Sequence, residues 1–158
     1  MKKLLILFFI FSFSNVSFGA GSSGSDTKSK YDQAVKIIKA AKNYEEKGKI
    51  KKANKRYEKA LKLLIKSNKE NPKNADTLNY LGFTTRKLGD YETGEKYYLQ
   101  GLEINPSHEG INEYLGELYV ATNRIDLAKK RLEVLKSCNC KEYKELKDII
   151  DGTKKSKY

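Results

Sequence analysis

Apolar residues recur at three- and four-residue spacing through residues 75–108, and this spacing predicts two helices joined by a tight turn. Leu78 and Leu81 lie about one helical turn apart and mark the buried face of the first helix. Gly89 can adopt the positive φ that ends a helix, and Asp90 can cap the helix that follows. The pattern therefore predicts a helix–turn–helix unit.

The second helix of this unit carries Gly94, Tyr98 and Gly101 on one face. A glycine inside a helix costs about 1 kcal/mol relative to alanine, so two of them need a structural reason. We expect the two helices to pack closely here, because a larger side chain would keep their backbones apart.

The same spacing resembles the tetratricopeptide repeat, a 34-residue helix–turn–helix unit. The residues that match the family's signature are Leu78, Leu81, Gly82, Gly89, Gly94, Tyr98, Gly101 and Pro106, whereas Thr85 replaces a tyrosine. Because one repeat cannot bury its apolar face alone, the resemblance implies neighbouring repeats and an all-α solenoid.

A weaker copy of the pattern precedes the central unit, at about residues 34–74. Its matching residues are Ala41, Tyr44, Gly48, Ala53, Tyr57 and Ala60. Pro72 comes about two helical turns later than the period predicts, so we expect the second helix to continue to about Asn68. Lys49 is a poor residue to cap that helix.

A third copy occupies residues 109–142 and is followed by a helical pattern at residues 142–151. The matching residues of this copy are Leu115, Gly116, Tyr119, Ala128 and Leu132, whereas Asn123 stands where glycine is usual and also tolerates the left-handed conformation. We therefore predict one tetratricopeptide-repeat domain at residues 31–151, with about three repeats and a C-terminal capping helix. Residues 152–158 read as a basic tail that nothing holds.

The first 20 residues have the pattern of a secretory signal peptide. Two lysines precede an apolar run at residues 4–13, and Ser17 and Gly19 supply the small residues of a cleavage site after Gly19. The pattern predicts export to the periplasm or secretion; the alternative is an uncleaved membrane anchor. Residues 21–30 are rich in glycine and serine and predict a flexible linker.

The net charge of +12 first suggests a nucleic acid or an anionic lipid as partner. However, 28 of the 32 basic residues are lysines, whereas arginine is better suited to bidentate phosphate contacts. The lysines are also spread along the predicted exposed helix faces, and an exported protein rarely meets nucleic acid. We therefore expect no nucleic-acid partner and retain a preference for acidic peptides or an anionic membrane surface.

Few residues offer catalytic chemistry. His108 is the one histidine, and its place in a turn indicates a solvated or capping residue. The sequence has no glycine-rich phosphate loop, no nucleophile motif and no cluster at metal-ligand spacing. We predict neither an enzyme nor a bound cofactor or metal.

Cys138 and Cys140 are the only cysteines and lie two residues apart. Residues 138–146, CNCKEYKEL, resemble a group of exported bacterial tetratricopeptide proteins in which paired cysteines precede a Glu-Tyr-x-x-Leu helix. In an oxidising compartment the pair predicts a local disulfide before the capping helix. A redox-active pair and a bond between two chains are the alternatives.

The resemblance implies peptide or protein binding in a groove lined by the first helix of each repeat. The predicted groove residues are Lys42, Asn79, Phe83, Arg86, Lys87, Glu113 and Glu117. We expect Asn79 and Arg86 to hydrogen-bond an extended peptide that packs on Phe83, unless Phe83 belongs to the core. The predicted function is a non-catalytic periplasmic adaptor. A thiol–disulfide factor and a protein that binds anionic membranes are the alternatives, and no feature predicts the oligomeric state.

Overall fold

A computed structural model describes residues 29–156, which fold into seven helices and no strand. The predicted signal peptide and residues 21–28 of the predicted linker lie outside this range. The helices are α1 (Lys30–Glu46), α2 (Ile50–Glu70), α3 (Ala75–Lys87), α4 (Tyr91–Ile104), α5 (Glu109–Ala121), α6 (Ile125–Leu135) and α7 (Lys141–Ile150).

Consecutive helices pack as three hairpins, α1 with α2, α3 with α4, and α5 with α6. Each hairpin rests on the next through α2–α3 and α4–α5 contacts, and the first helices α1, α3 and α5 also touch in sequence. The last helix, α7, packs on α5 and α6. The architecture is therefore the predicted all-α repeat solenoid with a capping helix.

The central turn forms as the sequence predicts. Gly89 has a φ of +95°, and the side chain of Asp90 accepts a hydrogen bond of 3.0 Å from the Thr93 N–H. Hydrogen bonds from Thr93 lower the pKa of the Asp90 carboxyl, since they favour its charged form. Gly89 thus ends α3 while Asp90 begins α4.

Small residues allow α3 and α4 to approach closely, which confirms the reason given for Gly94; a Cβ on Gly101 would instead lie 2.4 Å from Ile111 of α5. A Cβ on Gly82 would lie 2.5 Å from a ring carbon of Tyr98, whose side chain is fully buried. A Cβ on Gly94 would lie 3.1 Å from the carbonyl oxygen of Gly82. The two backbones are in contact at this point, and a larger residue at either glycine would separate them.

The hydrophobic core runs along the solenoid as two adjoining clusters. The first joins α1, α2 and α3 and includes Ile38, Tyr57, Leu64, Leu81 and Phe83. The second joins α4, α5 and α6 and includes Tyr98, Ile111, Leu115, Leu118 and Ala128. Tyr114 packs against both clusters. The core is therefore continuous across the three repeats.

Two helices in the first repeat differ slightly from expectation. The first, α1, begins at Lys30 with Ser29 as its N-cap, so the helix starts inside the segment predicted as linker. The second, α2, runs to Glu70, two residues beyond the predicted end. Its N-cap position, Lys49, makes no side-chain capping hydrogen bond, as predicted.

The capping helix α7 closes the last repeat, one residue earlier at each end than predicted. Its Leu146 is fully buried and lies against Gly116 of α5. The prediction that nothing holds the C-terminal tail is wrong for its first residues. The backbone N–H groups of Thr153 and Lys154 donate to the Asp148 carbonyl at 2.9 and 3.0 Å. The Lys154 ammonium also lies 3.0 Å from Glu145.

Positive charge is concentrated in the first repeat rather than spread along the solenoid. Residues 29–74 contain 15 lysines and arginines against five acidic residues, a net charge of +10. Residues 75–156 contain 13 against 14, a net charge of −1. Most of the net positive charge of the described chain therefore lies on the first repeat. Within residues 29–156, no helix is both long and apolar enough to cross a bilayer.

Candidate functional site

A cavity of about 270 Å³ lies where the first helices of the three repeats meet. Its lining residues come from the C-terminal half of α1, the C-terminal half of α3 and the middle of α5. They are Lys42, Glu45, Glu46, Phe83, Arg86, Lys87, Tyr114 and Glu117. All three repeats are needed to build the site, because each supplies part of the wall.

Aromatic rings form the apolar part of the cavity. The ring centroids of Phe83 and Tyr114 lie 5.1 Å apart, and Tyr57 of α2 meets Phe83 edge-on at 5.9 Å. Phe83 is only 3% exposed, so most of its ring is in the core and one part reaches the cavity. Burial raises the pKa of the Tyr114 phenol, and the negative charge of Glu113 adds to that effect.

Lys42 covers these rings from the side of α1. Its ammonium nitrogen lies 4.4 Å from the centroid of Phe83 and 5.5 Å from that of Tyr114, which are cation–π distances. It also donates a hydrogen bond of 3.3 Å to the Tyr114 hydroxyl. The charged end of Lys42 therefore lies on the aromatic surface of the cavity.

A buried ion pair joins the second and third repeats beside the rings. The Arg86 guanidinium lies 3.3 Å from Glu117 Oε2 and donates a hydrogen bond of 3.1 Å to the Tyr114 carbonyl. Both charged side chains are 1% exposed. The other Glu117 oxygen, Oε1, is buried and accepts no hydrogen bond from the residues that the structure describes.

Glu45 organises the opposite wall. It accepts a hydrogen bond of 2.9 Å from the Tyr57 hydroxyl and forms an ion pair with Lys87. Burial raises the pKa of the Tyr57 phenol, and the bond to Glu45 raises it further because only the protonated phenol can donate. The carboxylate thus connects α1 to α2 and to α3.

With three basic and three acidic side chains, the lining of the cavity has no net formal charge. Its volume is below the roughly 300–1,000 Å³ of typical small-molecule pockets. The arrangement suits an apolar or aromatic side chain held between polar groups. The acidic partner expected from the whole-chain charge is not favoured by this cavity.

The sequence model of the tetratricopeptide repeat family matches residues 75–108, from the start of α3 to the turn after α4. The central hairpin therefore has the sequence pattern of a tetratricopeptide repeat. The match covers the unit that carries Gly94, Gly101 and Asp90. The flanking hairpins are also pairs of packed helices, but their sequences agree less well with the repeat pattern.

Solved structures share the fold over about three quarters of this chain. The type III secretion translocator chaperone SycD of Yersinia enterocolitica is 19% identical with a TM-score of 0.54, over 77% of this chain and 88% of that one. PcrH, in complex with the chaperone binding region of PopD, is 14% identical with a TM-score of 0.54, over 77% and 90%. No curated protein sequence matches this chain significantly.

Five of the seven predicted groove residues line the cavity, and two do not. The five are Lys42, Phe83, Arg86, Lys87 and Glu117. Asn79 is 7% exposed and instead faces Gly110 at the α3–α5 contact, which places it away from the cavity. Glu113 is 6% exposed and also lies outside the cavity.

The structure changes the role expected for Arg86. The sequence predicted a side chain that hydrogen-bonds a peptide, but its guanidinium is buried and bonded to Glu117 and to the Tyr114 carbonyl. Tyr114 was missed as a site residue. An available signal was its equivalence to Tyr80 one repeat earlier, since an aromatic residue recurs there after 34 residues.

The cysteine pair lies in the turn between α6 and α7, apart from the cavity lining. Cys138 and Cys140 form a disulfide with their Cα atoms 5.1 Å apart. The carboxylate of Glu109 lies within 4.8 Å of both sulfurs. Sulfurs joined in a disulfide are not thiolates, so this group does not have the chemistry of a metal site.

His108 acts as a helix cap, one of the two roles predicted for it. Its Nδ1 accepts a hydrogen bond of 3.2 Å from the Ile111 N–H at the start of α5. Its Nε2 lies 3.1 Å from Asp76 Oδ1 on α3. The imidazole therefore fixes the turn between two repeats.

Proposed function

We propose that this domain is a non-catalytic protein-interaction module that holds a peptide or protein segment along its first helices. The cavity built jointly by α1, α3 and α5 is the observation that carries the proposal. It receives one apolar or aromatic side chain of the segment against Phe83 and Tyr114. Lys42 and Lys87 lie beside it and contact the segment's polar groups.

Glu117 lines the cavity and has one carboxylate oxygen, Oε1, that is buried without a donor among the described residues. Because a buried acceptor without a donor is costly, we propose that an N–H group of the segment donates to this oxygen. PcrH, whose fold this chain shares, was solved in complex with the chaperone binding region of PopD. That likeness supports peptide binding as a use of the fold. The kind of segment that this chain binds is inferred from its own cavity.

The proposal is tested by selecting peptides from a random library on the full chain and measuring their affinity for two variants. Lys42→Met removes the charge over the aromatic rings, whereas Lys39→Met removes an exposed charge from the same helix outside the cavity. We expect Lys42→Met to weaken binding about tenfold and Lys39→Met to leave it unchanged. Equal peptide affinities in the two variants would contradict the proposal. So would an NMR titration in which the selected peptide shifts mainly resonances of residues outside the cavity.

We further infer from the N-terminal sequence that the module acts after export, as a periplasmic adaptor or scaffold. Two lysines, the apolar run at residues 4–13 and the small residues Ser17 and Gly19 support this placement. Mass spectrometry of the protein isolated from its host should find Ala20 as the first residue. A chain that keeps residues 1–20 in the membrane fraction would instead favour the anchor.

A further inference from the structure

A row of six lysines follows one side of α2. Its members are Lys52, Lys55, Lys59, Lys62, Lys66 and Lys69. The successive spacings of three, four, three, four and three residues place them on one helix face, opposite the buried Ala53, Tyr57, Ala60 and Leu64. At 1.5 Å per residue the row is about 25 Å long.

The charges of this lysine row are not neutralised within the domain. All six side chains are exposed, and none forms an ion pair with another residue in the described part of the chain. The acidic residues of α2 are Glu58 and Glu70, and Glu70 is paired with Lys30 of α1. Like charges four residues apart destabilise a helix by a few tenths of a kcal/mol per pair. The lysine row therefore lowers the stability of α2, and no ion pair in the described chain offsets that loss.

The second helices of the other two repeats, α4 and α6, do not share this concentration of positive charge. The residues of α2 carry a net charge of +6, whereas those of α4 carry −2 and those of α6 carry +1. The repeats share one architecture, so the fold does not require a basic second helix. The lysine row is therefore a property of this surface and not of the solenoid.

We propose that the lysine row docks the domain on an anionic lipid surface. The row lies on the exposed side of a helix, where it can meet a plane of negative headgroups along its whole length. Lysine suits this contact because its compact, hydrated ammonium acts as a point charge, and attraction to a layer of negative headgroups needs no fixed bidentate geometry. Near an anionic leaflet each lysine strengthens binding about fivefold.

A nucleic acid fits the same surface less well. Arginine is the residue suited to bidentate phosphate contacts, and the one arginine of α2, Arg56, lies with its guanidinium carbon 5.3 Å from the ring centroid of Tyr44. The cavity is formed by α1, α3 and α5, so docking through α2 leaves it accessible. The lipid surface and the peptide site are independent, and either can be wrong without the other.

The test is co-sedimentation of the full chain with two kinds of vesicle, phosphatidylcholine alone and phosphatidylcholine with phosphatidylglycerol. The row variant carries Lys55→Gln, Lys59→Gln, Lys62→Gln and Lys66→Gln. The matched control carries Lys129→Gln, Lys130→Gln, Lys144→Gln and Lys155→Gln, which are also exposed, form no ion pair in the described chain and remove the same charge. Because the N-terminus is identical in all three proteins, its apolar run does not affect their comparison.

We expect the wild-type chain to bind the anionic vesicles and to be released near 1 M salt, where the screening length falls to about 3 Å. The row variant should bind on the order of 100-fold more weakly, and the control should stay within about threefold of wild type. Far-UV circular dichroism should show both variants folded, since every substituted residue is exposed.

Several outcomes would overturn the proposal. Equal binding to neutral and anionic vesicles would show that charge does not drive the contact. Equal losses in the row variant and the control would show that net charge, not α2, is responsible. A wild-type chain that ignores anionic vesicles but binds an oligonucleotide or an acidic peptide would assign the row to that other ligand.

Discussion

The Arg86 guanidinium and the Glu117 carboxylate form a buried ion pair that links the second and third repeats. Their atoms lie 3.3 Å apart and both side chains are 1% exposed. Removing one member of such a pair leaves an uncompensated charge in a medium of low polarity. The pair therefore fixes the relative position of α3 and α5, and with it the floor of the cavity.

Glu117→Leu should lower the free energy of unfolding by about 3–5 kcal/mol, because Arg86 is then buried without its carboxylate. The double variant Arg86→Met/Glu117→Leu should recover much of that loss, since no isolated charge remains. Urea denaturation measures both changes. Glu92→Gln, which breaks an exposed pair with Lys96, should leave the midpoint within error. A double variant as unstable as Glu117→Leu would show that the charge is not the cause.

Two buried tyrosines should respond differently to loss of their hydroxyl groups. The Tyr57 hydroxyl donates to Glu45 at 2.9 Å, whereas the Tyr98 hydroxyl is buried with no partner among the described residues. Tyr57→Phe should lower the free energy of unfolding by about 1 kcal/mol, and Tyr98→Phe should leave it unchanged or raise it slightly. Thermal denaturation of the two variants compares them directly. A larger loss for Tyr98→Phe would indicate a hydrogen bond at that site.

The repeat pattern predicted the fold because its signals are local. Gly89 and Asp90 determine the turn within four residues, and Gly82 with Tyr98 determines how closely α3 and α4 pack. The late position of Pro72 likewise predicted the long α2. Such features arise within one helix or one helix hairpin, so sequence spacing is enough to find them.

The cavity was less predictable, because it depends on how closely the first helices of successive repeats approach. Register places Phe83 and Arg86 on the inner face of α3, but only the position of α5 shows that Tyr114 and Glu117 bury them. Asn79 is on the same face, but its side chain packs against Gly110 of α5 and not at the cavity. Repeat spacing gives the face of a residue and not its final exposure.

Alkaline pH should weaken the fold through its buried tyrosines. Burial, aided by the charge of Asp76, raises the pKa of Tyr31 to about 12, and burial also raises the pKa values of Tyr57, Tyr98 and Tyr114. An unfolded tyrosine ionises near pH 10. The stabilisation is therefore fully present below about pH 10 and is lost as the pH rises through the folded-state values, since only the unfolded chain releases its protons readily.

Urea denaturation at about pH 8 and about pH 11 measures this loss, and phenolate absorbance follows ionisation. Tyr31→Phe is the matched variant, because it removes the Tyr31 contribution while keeping the ring that lies 5.9 Å from that of Tyr80. It should lose less stability than the wild-type chain between the two pH values. Equal losses would show that Tyr31 ionises alike in the folded and unfolded chains.

The disulfide between Cys138 and Cys140 should contribute little to global stability. It closes a loop of a few residues, so the chain entropy that it removes from the unfolded state is well below the roughly 3 kcal/mol of a 15-residue loop. The capping helix is held independently by Leu146, which is fully buried against Gly116. A Cys138→Ser/Cys140→Ser variant should therefore keep α7 docked and the melting temperature nearly unchanged.

The same variant separates the proposed adaptor from the thiol–disulfide alternative. An interaction module should keep its affinity for the selected peptides, because the cysteines do not line the cavity. An insulin-reduction assay on the wild-type chain supplies the second readout, and a peptide-binding module should show none of this activity. Thiol-dependent activity that disappears in the variant, with peptide binding absent from both proteins, would favour the redox function instead.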